Sequence, residues 1–257
     1  IPFPPALGEQ PPPPAEPPPA AEQPAPHVLR TLAWRRDRSG PLGTQDNLIK
    51  VLRGDPRFDS LVINEMGGDL EFDGAVLSEG AGVAAILVTI ADLYGVRAPA
   101  HSVAWCVGAV AESRRYHPVR GWLLSLPPWD GNDHVPALLT EVLRCPLNGR
   151  HVEYLRRYLV GAVARVMRPG CKNDTALILV GAQGAKKSSF FQALFGTSWF
   201  ADSPIDIGSK DAFLQLQRCW GYEASELESL SKRTAEAVKQ FLSSPTDVYR
   251  PPYAHRV

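Results

Sequence analysis

The residues best suited to chemistry lie in one short segment, residues 181–189, which reads GAQGAKKSS. It follows the apolar run 175–180, and an amphipathic stretch comes directly after it. A buried strand, a glycine-containing turn and a Lys-Ser pair at the start of a helix are the parts of a phosphate-binding loop. The spacing therefore predicts a site for the phosphates of a nucleotide at this turn.

Each residue type in this loop suits a polyphosphate ligand. Gly181 and Gly184 let the backbone approach the phosphates closely, and the start of the following helix contributes its positive end. We expect Lys187 to reach the β- and γ-phosphates and Ser188 to coordinate Mg²⁺. Ser189 completes the predicted set of nucleotide-binding residues.

Lys186 departs from the motif G-x-x-x-x-G-K-[ST], which has a glycine at this position. If the position demands a glycine-only conformation, the strain is about 1–3 kcal/mol. If it accepts helix-like dihedrals, the side chain points outward and adds a cation. A turn that ends in Lys-Lys-Ser-Ser by chance is the alternative. Lys186→Gly should raise nucleotide affinity if the lysine disables a working loop.

A phosphate loop hydrolyses nothing without an acidic residue at the end of a neighbouring strand. The candidates are Glu223 and Glu226, which follow a short hydrophobic segment one helix and one strand beyond the loop. Gly221 argues against a strand at this point, because glycine weakens strand interiors. The alternative is that both carboxylates are solvated residues at the start of a helix.

The segment at residues 247–256 interleaves aromatic and cationic side chains. Aromatic rings stack on bases and arginines pair with phosphates, so this segment is the best candidate for a single-strand contact. The alternative is an exposed strand whose arginines are solvated or reach the nucleotide of a neighbouring subunit. The residues concerned are Tyr249, Arg250, Tyr253 and Arg256.

Composition limits the class of protein. The chain has 257 residues, with 27 basic and 27 acidic side chains, so any nucleic-acid contact must be local. Its four cysteines are widely spaced and form no metal-binding or disulfide pattern, which suits a reducing cytoplasm. No apolar run is long enough for a membrane span. Because it starts at Ile1 without a signal-peptide pattern, we expect a piece of a longer protein.

The chain divides into three predicted regions. Residues 1–43 are a disordered linker, rich in proline up to residue 26, although a ligand for a proline-reading domain is an alternative. Residues 44–118 form a mainly helical, winged-helix-like accessory domain, and residues 119–257 form the core that carries the loop. Apolar periodicity and turn residues predict four helices and a hairpin, at 45–52, 83–94, 100–115, 151–167 and 61–72 respectively.

Several motifs in order resemble the virulence-associated protein E (VirE-type) family. They include YHPVR at 116–120, WDG at 129–131, ARVMRPGCK at 164–172, the loop itself and the segments 199–203, 208–212, 220–227 and 239–256. The resemblance covers roughly residues 112–257. It implies a P-loop ATPase related to the superfamily-three replicative helicases of phages and mobile elements, often beside or fused to a primase.

The resemblance also implies roles and partners. ATP and Mg²⁺ would be the cofactors, with Lys187 and Ser188 on the phosphates and the metal, and Glu223 as the acidic strand-end residue. Lys239, Arg250 and Arg256 would lie where related helicases contact DNA or a neighbouring subunit. The expected partners are single-stranded or forked DNA and an upstream primase, and the full-length form would be a ring homo-oligomer.

Family members continue past residue 257 into a further strand with a polar sensor residue. We therefore predict an α/β protein whose P-loop NTPase-like core is truncated at its C-terminus. The leading hypothesis is a helicase-like ATPase that acts on DNA. The alternative is a catalytically impaired DNA-binding or regulatory remnant, for which Lys186 and the early end are the motivation.

Overall fold

The computed structural model describes residues 23, 25–32, 36–38, 40–173, 175–203 and 215–224. These residues fall into two compact units, one ending at Pro118 and the other beginning at Val119. Both units contain helices and short strands, so the chain is a mixed α/β protein. Each unit has its own hydrophobic core.

Helices of the first unit enclose its core. They are α1 (Pro26–Leu32), α2 (Gln45–Gly54), α3 (Ala81–Tyr94) and α4 (Ala100–Glu112). α2 begins where the Thr44 hydroxyl accepts a hydrogen bond from the Asn47 backbone N–H at 3.3 Å, which satisfies an otherwise unpaired donor. The apolar faces of these helices meet in a core that includes Leu48, Leu52, Ile86, Ile90, Val103 and Val107.

Strands of the first unit form two small sheets. One is an antiparallel pair of β1 (Arg36–Asp37) and β2 (Gly40–Pro41). The other has the order β5-β4-β3-β6, in which the strands are β3 (Val62–Asn64), β4 (Asp69–Phe72), β5 (Ala75–Val76) and β6 (Arg115–Tyr116). The first three form an antiparallel meander, and β6 returns parallel to β3 after the two helices. Leu70 and Phe72 of β4 pack against the core.

A buried carboxylate joins the start of α1 to this core. Asp55 is 1% exposed, and its Oδ2 accepts a hydrogen bond from the Tyr94 hydroxyl at 2.8 Å. Its Oδ1 accepts from Arg57 Nε at 3.1 Å, while the Tyr94 oxygen accepts the Ala25 backbone N–H at 3.0 Å. Burial, with the Asp55 hydrogen bond adding to it, raises the pKa of Tyr94 to about 12. The acid is therefore paired on both oxygens, as a buried charge requires.

The helices and the hairpin predicted for this unit are confirmed, with ends that differ by one to three residues. The winged-helix description stays a prediction. The linker prediction is wrong for residues 26–32, which form α1 and bury Val28 and Leu32. These two residues lie one turn apart and therefore share a helix face, which gives the segment enough apolar surface to pack on α2.

The second unit begins with helices. They are α5 (Pro118–Ser125), α6 (Val135–Ala137), which runs into a π-helical segment at Leu138–Val142, and α7 (Gly149–Met167). α7 confirms the helix predicted at 151–167 and starts two residues earlier. Its N-cap is Asn148, whose side-chain oxygen accepts a hydrogen bond from the Arg150 backbone N–H at 2.9 Å.

The remaining elements of this unit are α8 (Lys187–Phe195), β7 (Phe200–Ala201) and β8 (Gly221–Tyr222). β7 and β8 pair in parallel, with Phe200 opposite Gly221. Leu139, Leu155 and three phenylalanines of α8 form the core, and tryptophans from three separate segments pack around one another. These are Trp122, Trp199 and Trp220.

Gly221 is part of strand β8, so the prediction that this glycine argues against a strand is wrong. A Cβ at this position would lie 2.1 Å from the ring of Phe195, which is closer than any side chain tolerates. The next residue back, Trp220, donates its indole N–H to the Ala162 carbonyl of α7 at 3.0 Å. β8 is therefore held against both α7 and α8.

The apolar run before the loop is not the buried strand that its sequence predicts. Residues 175–180 belong to no helix or strand and make no backbone hydrogen bond within the described parts of the chain. Leu177 and Leu179 pack on the core of the unit, but Ile178 is 62% and Val180 94% exposed. A strand is buried only where neighbouring strands and helices flank it, and in this structure only one side of the segment is covered.

Candidate functional site

The predicted phosphate loop lies directly before α8. Its residues from Gly181 to Lys186 are exposed, and two of them have a positive φ: Gly184 at 78° and Lys186 at 59°. With ψ at 31°, Lys186 adopts the left-handed helical conformation that favours glycine. The lysine therefore takes a conformation that glycine adopts freely, at a cost of roughly 1–2 kcal/mol for a residue with a Cβ.

Lys187 closes the loop on itself. Its Nζ donates to the Gly181 carbonyl at 2.9 Å and to the Ala182 carbonyl at 3.0 Å. An ammonium group has three donors, so one of them has no acceptor among the described residues. The cation is thus fixed at the mouth of the loop and keeps a donor for a ligand.

Ser188 and Glu223 meet across the site. The Ser188 hydroxyl donates to Glu223 Oε1 at 2.8 Å, although the two residues are far apart in sequence. The other carboxylate oxygen, Oε2, is buried and has no hydrogen-bond partner within the described residues. A buried oxygen that lacks a donor is costly, and it indicates a position built for a ligand, an ion or a water.

Packing on both sides holds this pair in place. Phe190, Phe191 and Phe195 anchor α8 in the core and so fix the first turn, which carries Ser188. On the other side, the Glu223 backbone N–H donates to the Ala201 carbonyl at 2.9 Å, which extends the pairing of β7 and β8 by one step. The carboxylate therefore lies at the end of a strand, as the sequence predicts.

The chemistry of the donor set fits Mg²⁺. This ion prefers hard oxygen ligands and keeps several waters, so one hydroxyl and one carboxylate are a common protein contribution. Ser188 and Glu223 are such a pair, and the unpartnered Oε2 is a further oxygen that the pair is able to offer to the ion. No group of three His, Cys, Asp or Glu side chains that could hold a metal ion gathers anywhere in the described parts of the chain, so the loop pair offers the ion two protein residues.

Most of the predicted loop residues come together in the structure. Lys187 contacts Gly181, and Ser188 contacts Glu223. Ser189 is exposed in the first turn of α8, and no described contact links it to the carboxylate. The other predicted site residues lie outside the described part of the chain; these are Glu226, Lys239, Arg250, Tyr253 and Arg256.

Sequence reasoning missed the residues that position the carboxylate. Ala201 accepts the Glu223 N–H, and Gly221 leaves room for the Phe195 ring. The available signal was the glycine between Trp220 and Tyr222, since a glycine inside an aromatic-rich strand often marks a close approach. The Phe200-Ala201 strand carried no comparable signal.

The family of the chain follows from a comparison of its sequence with family models. The model of the virulence-associated protein E-like domain matches residues 123–257, just over half of the chain. The chain belongs to this family. The virulence-associated protein E-like domain contains the loop, α7, α8 and Glu223, and it indicates a protein associated with a phage or mobile element.

Three further observations accompany this assignment. No curated protein matches the chain. Among the described residues, every helix is too short or too polar to cross a lipid bilayer. The four cysteines are free. Two of them, Cys145 and Cys171, lie just before and just after α7 in the virulence-associated protein E-like domain.

Proposed function

We propose that the chain binds ATP with Mg²⁺ at residues 181–188 and is a helicase-like ATPase that acts on DNA in the replication of a phage or mobile element. One observation carries the proposal: the contact between the Ser188 hydroxyl and Glu223 Oε1 at 2.8 Å, next to a loop closed by Lys187. A loop lysine, a helix-start hydroxyl and a strand-end carboxylate are the three protein parts that phosphoryl transfer from a nucleotide requires.

The loop residues have separate tasks in this proposal. Lys187 meets the phosphates with its third donor and keeps its two contacts with the loop carbonyls. The first-turn N–H groups of α8 lack intrahelical acceptors and add hydrogen bonds to the same anion. Gly181 and Gly184 leave the approach to these groups free of side chains.

Ser188 and Glu223 would hold Mg²⁺, directly or through water. When bound, Mg²⁺ neutralises phosphate charge and fixes the orientation of the phosphates. Glu223 Oε2 has no donor in the described structure, so it is able to accept a hydrogen bond from a water and orient it for attack. Ser188 donates to the other oxygen and keeps the carboxylate in one orientation.

Titration of labelled ATP in the presence of Mg²⁺ tests the site assignment. Lys187→Ala removes a charge-assisted hydrogen bond and should weaken binding about tenfold or more. Lys172→Ala is the matched control, because Lys172 is an exposed lysine of the same unit outside the loop. Equal affinities of the wild-type chain and Lys187→Ala would contradict the assignment.

A second candidate function has its own observation. Lys186 carries a Cβ and a cation in a left-handed position of the loop, and the segment before the loop exposes Ile178 and Val180. Both features suit a DNA-binding or regulatory remnant that no longer turns over ATP. Phosphate release that DNA stimulates and that Glu223→Gln abolishes would exclude the remnant. Oligonucleotide binding without any phosphate release would favour it.

A further inference from the structure

The first turns of α7 present a basic and aromatic face to solvent. Arg150, Tyr154 and Arg157 lie four and three residues apart and so share one side of the helix over about 10 Å. Tyr154 is 59% exposed, and the side chain of Arg157 is 74% exposed. The opposite side of the helix carries Leu155, which is 1% exposed in the core of the unit. We call Arg150, His151, Tyr154 and Arg157 the α7 face.

The charges of the α7 face are only partly neutralised. Arg150 and His151 have no carboxylate partner within the described residues. Arg157 Nε donates to Glu153 Oε1 at 2.6 Å, which orients the guanidinium and leaves its two terminal amino groups for another acceptor.

The position of these cations is unfavourable for the isolated protein. α7 has no acidic residue in its first turn, and the N-terminus of a helix carries a positive partial charge that favours anions. Arg150 places additional positive charge at that end. An anionic partner bound to the α7 face would be attracted both by the arginines and by the positive end of the helix, and it would offset the repulsion between them.

Tyr154 narrows the class of anion. Its ring lies between the two arginines along the helix and is largely exposed. An aromatic ring flanked by cations suits a strand of nucleic acid with unpaired bases, because the ring stacks on a base while the arginines pair with phosphates. A free phosphate or an acidic peptide would use the arginines and leave the ring without a stacking partner. One turn further on, Val160 is 62% exposed and apolar, so the basic part ends there.

We propose that the α7 face binds single-stranded nucleic acid through Arg150, Tyr154 and Arg157. This inference rests on the DNA partner of the proposed function but not on nucleotide binding at the loop. It therefore places a strand contact on a described helix, separate from the aromatic and basic segment at 249–256. A chain that fails to bind ATP would still show this contact.

Fluorescence anisotropy of a labelled oligothymidylate with the full chain, without nucleotide, tests the proposal. Arg150→Glu should weaken binding at least tenfold at low salt and lower the salt dependence of log K by about 0.7 for each phosphate that the variant no longer neutralises. Tyr154→Ala should weaken binding about 5- to 160-fold with the salt dependence unchanged. Tyr154→Phe should bind like the wild-type chain, because the ring is retained.

The control is Arg53→Glu, which makes the same charge change on an exposed helical arginine of the other unit. If Arg53→Glu weakens binding as much as Arg150→Glu, only net charge matters and the proposal is overturned. Wild-type affinity in both Arg150→Glu and Tyr154→Ala also overturns it and leaves the face to a protein partner. Equal binding of duplex and single strand would contradict the stacking role of Tyr154.

Discussion

Lys186 offers the sharpest test of the loop conformation. Its φ of 59° and ψ of 31° place it in the left-handed region, which costs a residue with a Cβ roughly 1–2 kcal/mol. Glycine removes this strain but loses about 0.4–1 kcal/mol through the greater freedom of the unfolded chain. The difference predicts that Lys186→Gly is more stable than Lys186→Ala by about 0.5–1 kcal/mol.

The comparison with Lys186→Ala isolates the backbone, because both variants lose the ammonium group. Urea unfolding, followed by tryptophan fluorescence, gives the two free energies of unfolding. Arg144→Gly is a matched control, because Arg144 has a φ of 55° outside the loop. This variant should change the free energy of unfolding by an amount similar to that of Lys186→Gly without altering the loop.

The ATP affinities of the two variants show whether residue 186 only strains the loop backbone or also blocks the phosphates. The strain at residue 186 belongs to the folded loop, so it affects the free energy of unfolding rather than the step in which ATP binds. We therefore expect Lys186→Gly and Lys186→Ala to bind ATP with affinities within about twofold of each other. Equal stability of the two variants would refute the left-handed assignment. A much tighter Lys186→Gly would show that the Cβ obstructs the phosphates.

Three further predictions concern packing and pH. Gly221→Ala places a Cβ 2.1 Å from the Phe195 ring, so it should lower the free energy of unfolding by about 1–3 kcal/mol in urea titrations and weaken ATP binding. Tyr94→Phe leaves a buried oxygen of Asp55 without its donor, and we expect a loss of about 1–3 kcal/mol in thermal unfolding, whereas an unchanged melting temperature would contradict the network. Burial raises the pKa of Tyr158 to about 12, whereas the pKa of tyrosine in the unfolded chain is about 10. The free energy of unfolding should therefore fall as the pH rises from about 10 to 12. Urea unfolding at several pH values should show a smaller fall for Tyr158→Phe.

Local sequence patterns predict most of the long helices. The helix at α7 and the helices of the first unit follow from apolar residues at helical spacing and from caps such as Thr44 and Asn148. The turn that ends at Lys186 and the helix that starts at Lys187 follow from a motif of nine residues, while nucleotide binding at this motif stays a prediction. Where neighbouring residues decide the structure, the sequence is sufficient.

Features that depend on contacts between residues far apart in the chain could not be predicted from the sequence. The apolar run 175–180 reads as a buried strand, yet Val180 is exposed, because burial depends on what packs beside the segment. Gly221 reads as a strand breaker, yet the Phe195 ring requires it. Residue types do not reveal such contacts between segments.

The candidate site shows the same division. Glu223 is the first candidate from its place after a hydrophobic segment, and Glu226 is the second candidate from the same pattern. The structure places Glu223 against Ser188 and leaves its Oε2 without a partner among the described residues, whereas Glu226 lies outside them. The basic face of α7 is not evident from the sequence, because Arg150 and Tyr154 have the spacing of an ordinary polar side of an amphipathic helix.

The effect of Mg²⁺ on ATP affinity is the most direct test of the proposed nucleotide site. It is measured as the ratio of ATP dissociation constants without and with Mg²⁺, for the wild-type chain, Ser188→Ala and the matched control Ser189→Ala. We predict that Mg²⁺ strengthens ATP binding in the wild-type chain and in Ser189→Ala, and that this effect is lost in Ser188→Ala. The same Mg²⁺ effect in all three proteins, or no ATP binding by the wild-type chain, would contradict the account.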